Sequence, residues 1–409
     1  PTNHYTKYLK IDKKLIQNFL TIRYNPSAHS HNLAKWQDFK TETTDFNGKK
    51  TETLLTNSIK KAIPDNDTPL TISLSSGIDS SLCLALLRNV FPKRKIIAIC
   101  GIFENGNDES KIAKKIAEKF SADFKTVYMD SIFYNMPEII SISKKPRWNT
   151  YNHLISKEAK KFSNYLVTGD GADELFGGYT FRYKKFNQLY EPQDNWINKV
   201  KKYLECHNRD WVPDQNLLFG KAISFSWESI YQYFKSYFQN KLDPITQVML
   251  ADFNGKLSLD FIPTGQAIFH HYKIRAVPIF LNSKVISFAQ KLPLDQKYDD
   301  TTFKGKLVLR KIAARLGVKH IEEKKGFSPS LLFDWKNHGK DICQNILLDK
   351  KSQIYQKNLI NFNWVLNSFE KVDSDGDIRY LNRLISVFAL EIWIKLFVTN
   401  ELKSTSKLS

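Results

Sequence analysis

The chain has 409 residues, of which 42% are hydrophobic and 13% aromatic, and its formal net charge is +19 at pH 7. This composition excludes a disordered or fibrous protein, and the length allows one large domain or two, with a substantial core. No apolar run is long enough to cross a bilayer and the N-terminus has no signal-peptide pattern, so we expect a cytoplasmic protein with no membrane partner.

The lysines and cysteines argue against two further classes of site. Lysine pairs are spread along the whole chain, which is typical of solvated helix faces, and no arginine-and-aromatic motif for stacking bases accompanies them. The charge therefore favours a basic soluble surface, and we expect no nucleic-acid partner. The four cysteines form no Cys-x-x-Cys pair, which argues against a zinc site or a disulfide framework.

The hydrophobic pattern divides the chain into three parts. Residues 1–50 are polar and weakly periodic, and we interpret them as an N-terminal arm. Residues 51–402 are expected to form one large domain, with a parallel sheet at about 69–178 and a mainly helical part at about 179–402. Residues 403–409 are expected to be a disordered tail.

Strands and helices alternate within the expected sheet region. The predicted strands are Leu70–Leu74, Lys95–Ile102, Phe124–Met129 and Tyr165–Thr168. Amphipathic helical patterns separate these apolar runs, which predicts an α/β fold with a parallel sheet covered by helices on both faces. In such a sheet, ligands bind beyond the carboxyl ends of the strands.

The turn after the first strand is the first candidate ligand site. It reads Ser75-Ser-Gly-Ile-Asp-Ser80 and joins a buried strand to a helix N-terminus, where unpaired backbone N–H groups attract anions. Gly77 allows close backbone approach, and the serine hydroxyls add hydrogen-bond donors. Asp79 is an acid where an anion should bind, which is consistent with a divalent cation between the two.

A second candidate segment follows the fourth strand. It reads Thr168-Gly-Asp-Gly-Ala-Asp-Glu-Leu-Phe-Gly-Gly-Tyr179 and places three carboxylates among four glycines. Because parallel strands end at one edge of the sheet, these acids are expected close to Asp79. Asp79 and Asp173 could share a magnesium ion bound to a polyphosphate, which leaves Asp170 free for proton transfer or substrate binding.

Together the two segments resemble the asparagine synthetase family. The first resembles the pyrophosphate loop of the ATP pyrophosphatase (PP-loop) superfamily, and the second resembles the synthetase domain of asparagine synthetases and of beta-lactam and carbapenam synthetases. Phe303-Lys-Gly-Lys-Leu-Val-Leu-Arg310 is similar to the family's Gly-Lys segment, and Lys324-Lys-Gly-Phe-Ser-Pro329 with Trp335 to its Lys-x-Gly-Phe signature. Asn107-Asp-Glu109 fits the family's helix start, so the resemblance extends over about 51–335.

The resemblance implies an AMP-forming carbon–nitrogen ligase that uses ATP and Mg²⁺. A substrate carboxylate would attack the α-phosphate of ATP, giving an acyl-adenylate and pyrophosphate, and ammonia or an amine would then displace AMP to form an amide. Asp79 and Asp173 would hold the magnesium ion. The residues that would contact ATP or pyrophosphate are Ser75, Ser76, Gly77, Asp79, Ser80, Gly169 and Lys306.

Two residues would be catalytic by the same resemblance. Lys306 would neutralise charge on the departing pyrophosphate, since an ammonium suits a dispersed phosphate charge. Asp170 stands where the family has its proposed proton acceptor, often a Glu, and its shorter side chain changes the reach of the carboxylate by about 1.5 Å. Arg275 and Glu174 are candidates for substrate binding.

Three departures from the family bear on the substrate. Asparagine synthetases open with a glutaminase domain and a nucleophilic N-terminal Cys, whereas this sequence opens with Pro1 and has no Cys before Cys83. We therefore expect nitrogen from free ammonia, a separate glutaminase subunit or a substrate amine, with residues 1–50 at most a remnant of such a domain. The segment Tyr272–Asn282 lacks the family's Glu and final Asp, and Lys144–Trp148 is basic where relatives have an acid, which favours a more anionic acceptor than aspartate.

Three alternatives remain open at this point. The first is a specialised ligase for a natural-product or sugar carboxylate, and the second is a PP-loop enzyme that adenylates RNA. The acid-rich loop argues against the RNA enzymes, which do not share it. The third is a non-catalytic partner subunit, against which the intact Asp79, Asp173 and Lys306 argue.

Overall fold

A computed structural model describes residues 11–27, 33–105, 109–207, 210–318 and 330–408. Its main sheet has five parallel strands in the order β3-β2-β1-β4-β5. The strands are β1 Leu70–Ser73, β2 Ile96–Phe103, β3 Asp123–Met129, β4 Tyr165–Thr168 and β5 Arg275–Pro278. A short antiparallel pair, β6 Tyr298–Asp299 and β7 Lys304–Gly305, lies outside this sheet. The α/β prediction with a parallel sheet is confirmed.

Helices make up most of the remaining described chain. The α-helices are Lys13–Ile22, Lys49–Ala62, Ile78–Val90, Ser110–Lys119, Met136–Ser143, His153–Ala159, Ala172–Phe176, Thr180–Leu189, Trp196–Glu205, Gln215–Leu218, Trp227–Gln232, Lys235–Phe238, Pro244–Ala251, Ile262–His271, Ser283–Gln290, Leu307–Arg315, Leu331–Asp334, Lys340–Leu347, Gln353–Gln356, Phe362–Asp375 and Ile378–Phe397. Short 3-10 helices are Trp36–Phe39, Ile279–Leu281 and Leu294–Gln296, and π-helical segments are Asp252–Phe261 and Trp335–Gly339.

The central strand β1 carries the first candidate turn on its carboxyl end. Leu70 and Ile72 are fully buried, and the helix Ile78–Val90 packs back on the sheet through Leu82 and Leu86. β4 pairs directly with β1, in the register Thr71 to Leu166. The turns that follow β1 and β4 are therefore neighbours at one edge of the sheet.

The fifth strand comes from the part that the sequence indicated as helical. β5 contains only four residues and pairs with β4 alone, with Tyr165 opposite Arg275 and Thr168 opposite Pro278. So short a run carries little periodicity, and its proline is tolerated because an edge strand can do without a ladder hydrogen bond. The sheet therefore extends beyond 69–178.

The first and the last segments that the structure describes pack on a second hydrophobic core. This core surrounds the helix Ile378–Phe397, and the helix Lys13–Ile22 packs against that helix and adds Ile16 and Leu20 to the core. Leu408, in the segment expected to be disordered, donates a backbone hydrogen bond to the carbonyl of Tyr134. Both terminal segments that the structure describes are thus attached to the domain. Across the described ranges, no helix has the length and apolarity needed to span a membrane.

Lys297 is a buried cation whose stability effect depends on pH. Its side chain is 2% exposed, and its ammonium donates to the backbone carbonyl of Gln290. Burial lowers the pKa of Lys297 to about 7, and the charge of Asp243 opposes that shift only in part. At pH values between about 7 and the ordinary pKa of a lysine, Lys297 is therefore protonated in the unfolded chain and mostly neutral in the folded one. Because the unfolded state binds more protons, this residue makes the free energy of unfolding rise with pH in that range.

We expect Lys297→Met to raise the melting temperature at pH 6, because it removes a buried charge that the folded state holds there at a cost. The gain should shrink at pH 9, where the wild-type ammonium is already deprotonated in the folded state. Thermal unfolding at both pH values measures this. Lys284→Met, at an exposed lysine, is the control, and an equal gain at pH 6 and pH 9 would contradict the explanation.

Candidate active site

The turn after β1 is held closed by its own serines. The Ser75 backbone N–H donates to Ser80 Oγ at 3.0 Å, and the two hydroxyls are 3.0 Å apart. Ser81 Oγ donates to the carbonyl of Gly77 at 2.8 Å, in the first turn of the helix Ile78–Val90. These bonds keep the turn compact and leave Asp79 projecting from the start of the helix. The turn 75–80 is called the phosphate turn below.

Glu109 contacts the phosphate turn, which motif reading did not anticipate. Its Oε2 accepts hydrogen bonds from the Ser76 backbone N–H at 3.1 Å and from Ser76 Oγ at 2.7 Å. A carboxylate thus occupies donors of the kind that would bind a phosphate oxygen. Glu109 follows β2, whose carboxyl end lies at the same edge of the sheet as the phosphate turn. This position was the signal from which its contact with the turn could have been predicted.

The acid-rich loop after β4 (168–179, the acid loop) packs directly on the phosphate turn. A Cβ atom on Gly169 would lie 3.0 Å from Asp79 Cβ and 3.3 Å from the Ser80 nitrogen, so a side chain at this position would push the loops apart. Gly171 has a φ of +90°, a left-handed conformation that glycine adopts without strain. The glycines therefore serve to bring the acids of this loop close to Asp79.

Lys306 joins the two loops. Its Nζ is 2.6 Å from Asp79 Oδ2 and 2.6 Å from Asp173 Oδ1, so one ammonium lies between two carboxylates from different segments. The side chain is 5% exposed, and the backbone N–H donates to the carbonyl of Phe176 at 2.9 Å. This cluster of Asp79, Asp173 and Lys306 unites the three sequence segments singled out as motifs, and it is called the charge cluster below.

The backbone of Lys306 is itself strained. Its φ of +58° lies in the left-handed region, which costs a non-glycine residue about 1 kcal/mol or more. Gly305 precedes it, and a Cβ there would collide with the carbonyl of Gly177. The tight contact between Gly305 and the acid loop therefore holds Lys306 in a conformation that aims its ammonium at the two carboxylates.

Gly178 leaves room for the charge cluster. A Cβ at this position would collide with Asp173 Oδ1 and with the side chain of Lys306. We expect Gly178→Ala to lower by up to about 100-fold the rate of the pyrophosphate release that the family resemblance implies, because a displacement of about 1 Å at reacting groups has effects of this size. Rate and melting temperature should be measured together.

Gly265→Ala is the matched control for that substitution. Gly265 lies in the helix Ile262–His271, where the nearest atom to an added Cβ is Phe269 Cε2 at 3.3 Å. Alanine favours a helix, so we expect unchanged activity and unchanged or slightly higher stability. Wild-type activity of a folded Gly178→Ala enzyme would show that the position of the charge cluster does not limit the rate.

Asp170 lies at the open side of the acid loop. Solvent reaches its side chain, and one carboxylate oxygen accepts a hydrogen bond from Thr168 Oγ1 at 2.8 Å. The surrounding protein and the negative charge of Asp79 raise the pKa of Asp170, and the Thr168 hydrogen bond opposes them. A raised pKa makes this carboxylate a better proton acceptor than an ordinary surface aspartate.

Glu174 and Arg275, the two candidates for substrate binding, are not part of the charge cluster. Glu174 is 2% exposed and accepts a hydrogen bond from Tyr179 Oη at 2.6 Å; burial and the charge of Asp173 raise its pKa to about 7. Arg275 is exposed at the amino end of β5, beside Tyr165, whereas the site lies at the carboxyl end of the strands. The structure therefore does not bring Arg275 together with the phosphate turn and the acid loop, and a contact of Arg275 with the substrate stays a prediction.

The basic segment Lys144–Trp148 does not supply a free arginine either. Arg147 is buried and donates two hydrogen bonds to Asp260, at 2.6 and 2.8 Å. Its charge is thus neutralised within the protein and does not support a more anionic acceptor. The segments Asn107–Asp108 and 324–329, which resemble family motifs, lie outside the described residues.

The charge cluster fits a divalent cation. Asp79 Oδ2 and Asp173 Oδ1 each lie 2.6 Å from Lys306 Nζ. The two oxygens are therefore close enough to bind one cation together, as they do with the ammonium. Magnesium in phosphoryl chemistry is commonly held by one or two carboxylates plus substrate phosphates. Within the described residues no group of three or more His, Cys or carboxylate side chains is arranged to hold a metal ion by itself.

Comparison with known proteins agrees with the motifs. The family model for asparagine synthase matches residues 50–395. Asparagine synthetase (glutamine-hydrolyzing) 1 of Bacillus subtilis is 24% identical over 407 residues, covering 85% of this chain and 64% of the relative. A putative asparagine synthetase of Mycobacterium bovis is 26% identical over 301 residues, covering 65% of this chain and 46% of the relative. The chain thus spans about half to two thirds of these relatives.

Solved structures also show a partial likeness. An NMN synthetase from Francisella tularensis aligns with 57% of this chain and 98% of its own, at 13% identity and a TM-score of 0.28. A U34-tRNA thiolase from Methanococcus maripaludis aligns with 57% of this chain and 87% of its own, at 15% identity and a TM-score of 0.27. Similarity at this level supports no inference about function.

Proposed function

The chain belongs to the asparagine synthase family, and we propose that it is an ATP-dependent, AMP-forming ligase that joins a substrate carboxylate to ammonia or an amine. The observation that carries this proposal is the charge cluster, in which Lys306 Nζ lies 2.6 Å from both Asp79 and Asp173 beside a turn suited to phosphate. The three segments come together at the sheet edge where ligands of parallel α/β proteins bind.

The phosphate turn would bind the phosphates of ATP. Its backbone amides and the N-terminus of the helix Ile78–Val90 favour negative charge, and the hydroxyls of Ser75, Ser76 and Ser80 add donors. Glu109 would have to leave Ser76 or share its donors when a phosphate oxygen arrives, because one carboxylate oxygen accepts both bonds. Gly169, whose missing side chain lets the acid loop pack against Asp79, would place the backbone of this loop beside the bound ATP.

Asp79 and Asp173 would hold Mg²⁺, which when bound neutralises charge on the β- and γ-phosphates of ATP. Lys306 would turn from these carboxylates towards the pyrophosphate as negative charge builds up there. A preorganised cation aimed at developing charge is worth about 3–4 kcal/mol in other enzymes. The short, buried contacts of Lys306 keep it within reach of that position.

The amide would form in two steps with a proton transfer. An oxygen of the substrate carboxylate bonds to the α-phosphorus while the bond to the pyrophosphate oxygen breaks. The nitrogen nucleophile then bonds to the acyl carbon, and the bond from that carbon to the AMP oxygen breaks. Asp170 would accept the proton that the nitrogen loses, a role that suits its raised pKa and its place at the open side of the acid loop.

The proposal is tested by product analysis. Purified protein is incubated with ATP and Mg²⁺ against a panel of carboxylates, each with and without ammonium, and AMP, ADP, pyrophosphate and phosphate are quantified. We expect equal amounts of AMP and pyrophosphate with one class of carboxylate, with aspartate and natural-product or sugar acids included in the panel. ADP and phosphate, or pyrophosphate release only when tRNA is added, would contradict it.

The nitrogen source is part of the same proposal. We propose that nitrogen arrives as free ammonia, as ammonia released by a glutaminase, or as an amine of the second substrate. Titration of ammonium in the assay separates the two ammonia sources from the amine substrate. Only an amine substrate would give the product without added ammonium or glutaminase.

A further inference from the structure

A cavity whose lining includes several charged side chains lies on the helical side of the molecule. It has a volume of about 50 Å³, and none of its lining residues belongs to the phosphate turn or the acid loop. Its walls come from the end of the helix Lys13–Ile22, from the helix Trp196–Glu205, from the π-helical segment Asp252–Phe261 and from the helix Ile378–Phe397. Such a volume holds a few waters or one small ion and excludes a nucleotide.

The acids of this cavity are already neutralised. Asp210 forms an ion pair with Arg23 at 3.2 Å. Asp260 accepts two hydrogen bonds from Arg147, which is not among the lining residues. Among the described residues, neither carboxylate forms an ion pair with Lys256 or Arg383, the two other cations of the lining, although the charge of Asp210 raises the pKa of Arg383.

Lys256 and Arg383 lack a carboxylate partner among the described residues. The Lys256 ammonium lies 4.3 Å from the centroid of the Tyr179 ring and forms no ion pair with a described acid. Arg383 is 3% exposed; one of its terminal nitrogens donates to the backbone carbonyl of Asp210, and its buried Nε has no partner in the described part of the chain. Two cations thus line one cavity with incomplete charge compensation.

The pKa values of the two cations and the hydrogen bonds of Gln215 also indicate incomplete compensation. Burial and the charge of Arg182 lower the pKa of Lys256 to about 8, and burial lowers the pKa of Arg383 to about 10. Gln215 donates from Nε2 to the carbonyl of Leu20 at 2.9 Å, while its buried Oε1 has no partner among the described residues. An acceptor beside two cations suits an anion that also carries an O–H donor.

We propose that this cavity binds a small oxyanion, held by the ammonium of Lys256 and the Nε of Arg383, with Gln215 accepting a hydrogen bond from its hydroxyl. The ligand group is a phosphate or a small hydroxycarboxylate, since both combine negative oxygens with an O–H group. The cavity borders the acid loop through the contact of Lys256 with Tyr179 but is lined by no residue of that loop, and its existence does not depend on the proposed reaction.

The test is isothermal titration of the full chain with inorganic phosphate and, separately, with glycolate. The protein is first saturated with Mg²⁺ and the non-hydrolysable α,β-methylene ATP, so that the phosphate turn is occupied. We expect one anion to bind, and Lys256→Met and Arg383→Lys each to weaken it by about tenfold or more, as expected for loss of one charge-assisted hydrogen bond. The anion that binds more tightly shows whether the ligand group is a phosphate or a hydroxycarboxylate.

Melting temperatures separate binding from folding defects. Without added anion we expect Lys256→Met to melt at or above the wild-type temperature, because it removes a buried cation without a carboxylate partner. The bound anion should raise the melting temperature of the wild type and of the surface control Lys201→Met, but not that of Lys256→Met. Arg383→Lys keeps a positive charge and loses the Nε donor, so it tests the site even if Lys256→Met fails to fold.

Two results would overturn the proposal. One is that neither phosphate nor glycolate binds at millimolar concentrations while the phosphate turn is occupied. The other is that Lys256→Met and Arg383→Lys bind the anion as tightly as the wild type does, which would place it elsewhere on the basic surface.

Discussion

Replacing Asp79 by asparagine is expected to reduce pyrophosphate release about 1,000-fold while leaving the fold intact. The reason is electrostatic: the carboxylates of Asp79 and Asp173 both contact the ammonium of Lys306, and the substitution removes one of the two negative charges that would attract Mg²⁺. Loss of metal-assisted charge stabilisation is worth several kcal/mol, and about 4 kcal/mol corresponds to that factor. Asparagine keeps an oxygen that can still accept from Lys306, so stability should change little.

The measurement is the initial rate of pyrophosphate release with the best carboxylate, together with the melting temperature. Asp173→Asn should show a loss of similar size, because it removes the other half of the same charge pair. Asp67→Asn is the control, since Asp67 is an exposed aspartate in the loop just before β1. A folded Asp79→Asn enzyme with wild-type rate would refute the role of the charge cluster.

Replacing Lys306 by methionine is expected to lower the rate about 100- to 1,000-fold, the size of effect seen when one preorganised electrostatic contact is removed from an active site. Methionine has a similar length and fills the same buried space. The control is Lys304→Met, two residues away and exposed, which should retain wild-type activity. Retained activity in Lys306→Met would show that pyrophosphate leaves without this lysine.

A second readout distinguishes a cation that acts on ligands from a merely structural one. In Lys306→Met the carboxylates of Asp79 and Asp173 face each other without the ammonium, and like charges so close together repel. Added Mg²⁺ should therefore raise the melting temperature of the variant more than that of the wild type, in which Lys306 competes for the same oxygens. Equal shifts would mean that the metal binds elsewhere.

Much of the sheet and the core of the site could be predicted from sequence because the signals are local. β4 was predicted with the bounds that the structure has, Tyr165–Thr168, since a short apolar run between a helix and a glycine-rich loop favours a buried strand. The phosphate turn and the acid loop carry their own residue patterns, and parallel pairing of β1 with β4 brings them together. Lys306 was singled out because its segment is similar to a pattern of the family; the structure places it beside Asp79 and Asp173, and its role stays a prediction.

The features that were missed depend on contacts between distant segments. Arg275 was a candidate because of its type and neighbours, yet its place at the amino end of β5 follows from pairing with β4, which no local pattern shows. Glu109 reaches Ser76 across the sheet edge, and Arg147 is paired with Asp260 through the packing of the helical part. Charge compensation of this kind is visible only once the partners are placed.

The most direct test of adenylation is transfer of a labelled oxygen. The carboxylate that supports pyrophosphate release is prepared with ¹⁸O in both carboxyl oxygens and incubated with ATP, Mg²⁺ and the nitrogen donor, and the AMP is analysed by mass spectrometry. Attack of the carboxylate on the α-phosphate predicts one ¹⁸O atom in each AMP formed. Unlabelled AMP, or label found only in inorganic phosphate, would contradict the proposed reaction.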